Sequence, residues 1–223
     1  MDRDLKAVLF DLDGTLIHSV EHIVKCWQYA TLTCLGREMA REEILPTIGR
    51  TLADAFEEVA PGRSAELHAA YKARQVGTHD LEIELVPGTV ETLRALKAKD
   101  LALGLVTSKR LPIALQGLAL FDLVPFFDVI VTMEDTSRHK PAPDPLQVAL
   151  QRLGIEPSEA IYVGDADVDM QAAHAAGMRR IWVKWGVGTT ADLKEAKPDF
   201  IVGSMDEVVS LVTKDAQEAA NTK

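Results

Sequence analysis

The stretch KAVLFDLDGTL, residues 6–16, sets two carboxylates at the end of an apolar run. Ala7 to Phe10 read as a strand. Asp11 follows directly, Asp13 stands one residue further on, and Gly14 and Thr15 come next. Side chains at i and i+2 of a strand share a face, so the two acids point the same way. Two such charges 4 Å apart repel by roughly 4 kcal/mol at an effective dielectric of 20. Asp and Gly are also ordinary turn residues, so this fragment alone admits a turn as well as a charged site. The rest of the chain has to decide between them.

Short apolar runs recur along the chain: LALGLV (101–106), FDVIVT (127–132), AIYVG (160–164), RRIWVK (179–184) and DFIV (199–202). Most are too apolar for a sheet with one wet face and suit a parallel sheet covered on both sides. Helical patterns lie between them, at VETLRALKAKD (90–100), DPLQVALQRLG (144–154) and VDMQAAHAAG (168–177). The alternation predicts an α/β fold, a Rossmann-like open parallel sheet with helices on both faces. Asp144 is expected to cap its helix, with Pro145 at the first helical position and Gly154 closing it.

Residues 17–85 interrupt the alternation. They show helical spacing, breaks near Pro46–Gly49 and Pro61–Gly62, and no convincing strand. The expected organisation is an α/β core of residues 1–16 and 86–223, with an inserted all-α cap domain at 17–85. Hinges are expected near Thr15–Ile17 and Leu85–Gly88.

In open α/β sheets, chemistry sits beyond the carboxyl ends of the strands. Asp11 and Asp13 follow the first run, and Thr107-Ser108-Lys109 follow LALGLV. His139-Lys140-Pro141 come shortly after FDVIVT, and Asp165-Ala166-Asp167-Val168-Asp169 follow AIYVG. Acid, hydroxyl, ammonium and acid thus converge on one rim. The crowded carboxylates call for a cation, and hard oxygen ligands with room for water suit Mg²⁺.

DLDGT, then TS after a strand, then KP, then GDxxxD, in that order, resembles the four-motif pattern of the haloacid dehalogenase superfamily. The resemblance covers nearly the whole chain, and the insert after the first motif is similar to that superfamily's small helical cap. Dehalogenases lack the second acid of the first motif. The phosphatase members keep it, as Asp13 does here. The resemblance implies a phosphatase in which Asp11 is the nucleophile and forms an aspartyl-phosphate. It makes Asp13 the acid and then the base, and it sets Thr107, Ser108 and Lys140 on the phosphoryl oxygens. It also implies that Mg²⁺ is held by Asp11, the Asp13 carbonyl and Asp165, with Asp169 close by. Family members often carry Ser or Asn where Ala166 stands, which removes a hydrogen bond but no carboxylate. Within the superfamily, VPGTVETLRALKAK, FFDVIVTMEDTSRHKPAPDPL and GDADVDMQAAHAAG resemble the phosphoglycolate phosphatase group and its bacterial pyrophosphatases. The substrate so implied is a small phosphorylated one, a phosphoglycolate-type monoester or pyrophosphate.

Other residues carry weaker signals. Arg50, in the cap segment Ile48–Leu52, is positioned to read an anionic leaving group. His18, His22 and Cys26 share one helical spacing, for which packing on a cap helix is the simpler reading. Lys109 and Arg110 divide between the cleft and the helix surface. His139 and Asp167 read as an exposed side chain and a helix cap. Trp27, Trp182 and Trp185 read as packing, and KDAQEAANTK (214–223) as a solvated tail.

With 223 residues, 47% hydrophobic, the chain has enough apolar material for a core. A net charge of −10 argues against a nucleic-acid footprint. No run reaches membrane-span length. Cys26 and Cys34, about 12 Å apart along a continuous helix, cannot bridge, and free thiols suit a reducing compartment. MDRDLK lacks the features of a signal peptide. A cytoplasmic protein is expected, as a monomer or homodimer. Three rivals share parts of this pattern: a phosphomutase of the same fold, a phospho-accepting receiver domain, and an inactive binding protein on this scaffold. A receiver is about half this length and carries its accepting Asp on a later strand.

Overall fold

The computed structural model describes residues 5–220, with side chains through 213. The tail expected at 214–223 lies outside the described side chains, and most of MDRDLK lies outside the described residues. Eight strands occur in this span: β1 (Ala7–Phe10), β2 (Ile17–His18), β3 (Glu84–Leu85), β4 (Ala102–Val106), β5 (Val129–Val131), β6 (Ala160–Gly164), β7 (Arg179–Val183) and β8 (Phe200–Val202). The helices are α1 (Val20–Leu35), α2 (Arg41–Ile44), α3 (Leu52–Val59), α4 (Ser64–Glu82), α5 (Thr89–Lys97), α6 (Leu111–Leu120), α7 (Asp144–Leu153), α8 (Asp167–Ala175), α9 (Thr190–Ala196) and α10 (Met205–Ala220).

Six strands form one parallel sheet in the order β5–β4–β1–β6–β7–β8. Alternate residues of each strand feed different cores. Val8, Phe10, Leu103 and Leu105 pack with Leu93, Leu96 and Val208 on one face. Ala7, Leu9, Val131 and Tyr162 pack with Leu146, Leu150 and Ala173 on the other. Burial on both sides explains why the runs read as continuously apolar. The chain leaves β1 toward β4 and β5, then crosses back to β6 on β1's other side. The strand order therefore reverses at β1, which is where α/β sheets open a crevice at their carboxyl ends.

Helices α1 to α4 gather around a separate apolar cluster that includes Trp27, Ile44, Phe56, Leu67 and Tyr71. Trp27 and Phe56 rings lie 4.2 Å apart, and Phe56 and Tyr71 rings 5.9 Å apart. The fold is thus an α/β core with a helical cap.

Three local expectations need correction. Residues 17–85 do contain strand: β2 and β3 pair antiparallel, Ile17 opposite Leu85 and His18 opposite Glu84. Two residues per strand are too few to display an alternation. For the same reason His18 is not on the helix of His22 and Cys26, since α1 begins at Val20. Asp144 is the first helical residue of α7, with Pro143 at the cap, and Gly154 closes it at φ 67°.

Candidate active site

Each group of the crevice follows the end of a strand. Asp11 continues β1, its N–H donating to the Val163 carbonyl at 2.9 Å. Gly14 then turns the chain at φ 82°, and a Cβ there would collide with the Asp165 carboxylate. Thr107 follows β4, Asp165 follows β6, and Asp169 lies in the first turn of α8. Lys140 reaches in from the segment between β5 and α7, its peptide bond to Pro141 cis. Asp11, Thr107, Lys140, Asp165 and Asp169 are all buried.

Lys140 ties three strand ends together. Its Nζ donates to Asp11 Oδ1 at 2.7 Å, to Asp169 Oδ1 at 2.6 Å and to the Tyr162 hydroxyl at 3.2 Å. The Tyr162 hydroxyl in turn donates to the Val106 carbonyl at 2.9 Å. The other Asp169 oxygen accepts the N–H groups of Asp165 and Ala166 at 3.3 and 3.1 Å. Asp165 accepts from the Thr15 hydroxyl at 3.1 Å and from the Val187 N–H at 2.8 Å. Asp13 accepts from the Ser19 hydroxyl and from Lys109 Nζ, both at 2.5 Å.

Burial and crowding shift these groups. Burial raises Asp11 to about 7, with Asp169 and Asp13 adding to the rise and Lys140 opposing it. Burial, then Asp169 and Asp11, push Asp165 well above the carboxylate range. Asp13 goes the other way: burial would raise it, but Lys109 and Ser19 hold it low. Burial would pull Lys140 down, yet Asp11 and Asp169 raise it well above an ordinary lysine.

The donor set fits a divalent ion. Asp11, Asp165 and Asp169 each offer a carboxylate oxygen, and these oxygens lie within 4.8 Å of one another. Counting Asp13, four acidic side chains crowd a site with two ammonium groups, Lys109 and Lys140. A divalent ion on hard oxygens, for which Mg²⁺ is suited, would let all four ionise together.

Ser108 lines the same cavity as Asp11 and Asp13, and its hydroxyl donates to the Gly49 carbonyl at 2.6 Å, joining the β4 loop to the cap. Arg50 lines the adjoining cavity, and its guanidinium donates to Glu58 at 2.7 Å. Arg110 pairs with Glu134, while Lys109 faces the crevice. Trp27 packs in the cap, Trp182 packs beside Met170, and Trp185 Nε1 donates to the Thr15 carbonyl at 3.1 Å.

Sequence reasoning missed Thr15, Ser19, Tyr162 and the 185–188 loop. Only the loop carried a signal, its paired glycines in WGVG. A Cβ at Gly186 would strike the Asp165 side chain, and one at Gly188 would strike the Trp182 ring.

Residues 8–183 match the family model described as haloacid dehalogenase-like hydrolase. The chain is 36% identical over 214 residues to the pyrophosphatase PpaX of Bacillus pumilus, covering 96% of this chain and 99% of that one. It is similar to the crystal structure of a predicted phosphatase from Clostridium acetobutylicum, with TM-score 0.86, 28% identity and coverage of 95% and 100%. A haloacid dehalogenase-like hydrolase from Streptococcus pneumoniae matches with TM-score 0.81, 27% identity and coverage of 93% and 98%. With a family match over most of its length and relatives aligned end to end, the chain belongs to the haloacid dehalogenase-like hydrolases.

Proposed function

We propose that this hydrolase is a cytoplasmic, Mg²⁺-dependent phosphohydrolase working through an aspartyl-phosphate on Asp11. Its substrate is a small phosphorylated metabolite, for which the names of its relatives suggest a phosphoglycolate-type phosphomonoester or inorganic pyrophosphate. The observation that carries this reading is the arrangement at the end of β1. Lys140 bridges Asp11 and Asp169, Asp165 offers an oxygen within 4.8 Å of theirs, and Asp13 sits beside Asp11 on a separate cation. A PpaX relative named pyrophosphatase adds support.

An Asp11 oxygen attacks phosphorus and the bond to the leaving oxygen breaks. Asp13 gives that oxygen its proton. In the second half, ionised Asp13 takes a proton from water as the water attacks phosphorus, and Asp11 leaves as a carboxylate. Lys109 holds Asp13 ionised in the state described, which suits the second half. For the first half the two must part, and a phosphoryl group arriving beside Lys109 would draw its ammonium away. Lys140 and Thr107 hold phosphoryl oxygens where charge spreads in the transition state, with Ser108 keeping the Thr107 loop against the cap. Asp11, Asp165 and the Asp13 carbonyl would hold Mg²⁺, with Asp169 orienting Asp165, and the ion would supply the charge neutralisation that lets a carboxylate approach a phosphate. The cap spans 17–85 on a core of 1–16 and 86–223, and the β2–β3 pair is its hinge.

The test is phosphate release with Mg²⁺, with EDTA, and with Asp11→Asn. Release that requires Mg²⁺ and drops at least about a thousandfold in the variant supports the reading. Undiminished turnover by Asp11→Asn ends it.

A further inference from the structure

The crevice opens into a cavity of about 660 Å³ between core and cap. Pockets of about 300–1,000 Å³ enclose whole organic ligands. Past Asp11 and Asp13 its walls turn apolar, with Ile23, Trp27, Ile48, Leu52, Ala69 and Ile113. These residues come from α1, the loop before α3, α3, α4 and α6, so apolar surface surrounds the space rather than flanking one side.

The charges are segregated as well. In a chain of net charge −10, the only acids lining the cavity among the described residues are Asp11 and Asp13. It is also lined by Arg50, by His68 and Lys72 of α4, and by Arg110 ahead of α6, which Glu134 holds at 2.9 Å. Burial, then Arg110 and Lys72, lower His68, so it stands as a neutral hydrogen-bond donor beside two cations. Among the described residues Lys72 has no carboxylate partner, which leaves its ammonium available to a ligand.

A ligand that fills this space has three parts: a phosphoryl group at Asp11, carbon against the walls, and an anion at the rim. Pyrophosphate has no carbon to set against Trp27 or Leu52, and its water-facing end would leave those walls wet. Phosphoglycolate has the second anion, but its two carbons leave most of a 660 Å³ space unfilled. We infer that the preferred substrates are organic phosphomonoesters with an apolar body of several carbons ending in a carboxylate or second phosphate held by His68, Lys72 and Arg110. The inference rests on the phosphohydrolase reading and names its substrate class.

The test compares pyrophosphate, phosphoglycolate, 4-phosphooxybutanoate, 6-phosphooxyhexanoate and hexyl phosphate by kcat/KM, with binding to Asp11→Asn in Mg²⁺ measured by calorimetry. Each buried methylene is worth about fourfold, so 6-phosphooxyhexanoate should exceed phosphoglycolate by at least about thirtyfold. It should exceed hexyl phosphate by about tenfold, the value of a hydrogen bond to a charged group. Lys72→Ala should shrink that second ratio toward one. A flat series, or pyrophosphate or phosphoglycolate at its head, overturns the inference. If no compound is turned over, the phosphohydrolase reading fails. The calorimetric order then decides the substrate class by itself: the same ranking supports it and a flat one overturns it.

Discussion

Lys109 Nζ lies 2.5 Å from Asp13 Oδ1, although the two residues are 96 positions apart and sit beyond different strands. The ammonium keeps the Asp13 carboxyl below its ordinary range against the effect of burial. Lys109→Met removes that cation, so Asp13 should titrate at higher pH. The alkaline limb of the kcat/KM–pH profile, where the free enzyme loses the Asp13 proton that the first half requires, should move upward. An alkaline limb that stays in place would separate Lys109 from the protonation of Asp13.

Lys140→Ala leaves Asp11 and Asp169 facing each other without their shared ammonium. Removing one partner of a buried ion pair costs about 3–5 kcal/mol. Urea unfolding in EDTA should show a loss of that size, and Mg²⁺ should restore part of it. Turnover should not recover, because a phosphoryl oxygen loses its ligand.

The pH dependence of metal binding follows from Asp11 and Asp165. Both are raised in the folded state, Asp11 to about 7. A carboxyl raised on folding binds its proton more tightly when native, so metal-free stability falls as pH climbs from about 4 to about 7 for Asp11. Mg²⁺ competes with those protons. Its stabilising effect should therefore be larger at pH 8 than at pH 5.5, about 5–10 °C in Tm at a hundredfold excess over Kd. Thermal scans with Mg²⁺ and with EDTA at several pH values would check it. Equal shifts at both pH values would count against the acidic cluster as the metal's location.

Gly186→Ala presses a methyl into the Asp165 side chain. Overpacking of this kind costs about 1–3 kcal/mol. Asp165 can yield only by giving up the Val187 N–H or the Thr15 hydroxyl. The variant should need more Mg²⁺ for half-maximal phosphate release. A purely structural lesion would lower Tm without moving that requirement.

Glu82, at the end of α4, accepts from Arg74 at 2.9 Å, lies 3.4 Å from buried His22, and is lowered to about 2, chiefly by the Arg74 hydrogen bond. A depressed carboxyl contributes stability above its unfolded pKa and loses it as pH falls through the folded one. Glu82→Gln should cost about 1.5 kcal/mol at pH 7 and almost nothing near pH 2. Urea unfolding at pH 7 and pH 3 would show the difference shrinking.

Much of this was legible in the sequence because strands buried on both faces announce themselves as apolar runs. The residue after each run is then the one that reaches the crevice. Asp11, Thr107 and Asp165 could be found that way, and Lys140 through its Pro neighbours. The two-residue pairing of β2 with β3 was not legible, since so short a ladder has no period. Nor was the direction of Lys109, because a lysine following a strand can reach the crevice or solvent with equal ease. The contact of Ser108 with the cap was not legible either: a hydroxyl beside such a turn says nothing of the Gly49 carbonyl that meets it from 59 residues away. The size of the cavity belongs to the packing of α1, α3, α4 and α6 together, and no local pattern encodes it.

Because Ile17 and Leu85 stand side by side, the polypeptide departs from and rejoins the sheet at almost one point. An excursion tethered in this way is a detachable module. Another lid of different girth could be spliced between the same two residues, altering the diet of the enzyme while Asp11 and its neighbours keep their places. Selection can then revise what is eaten and leave the machinery that eats it alone.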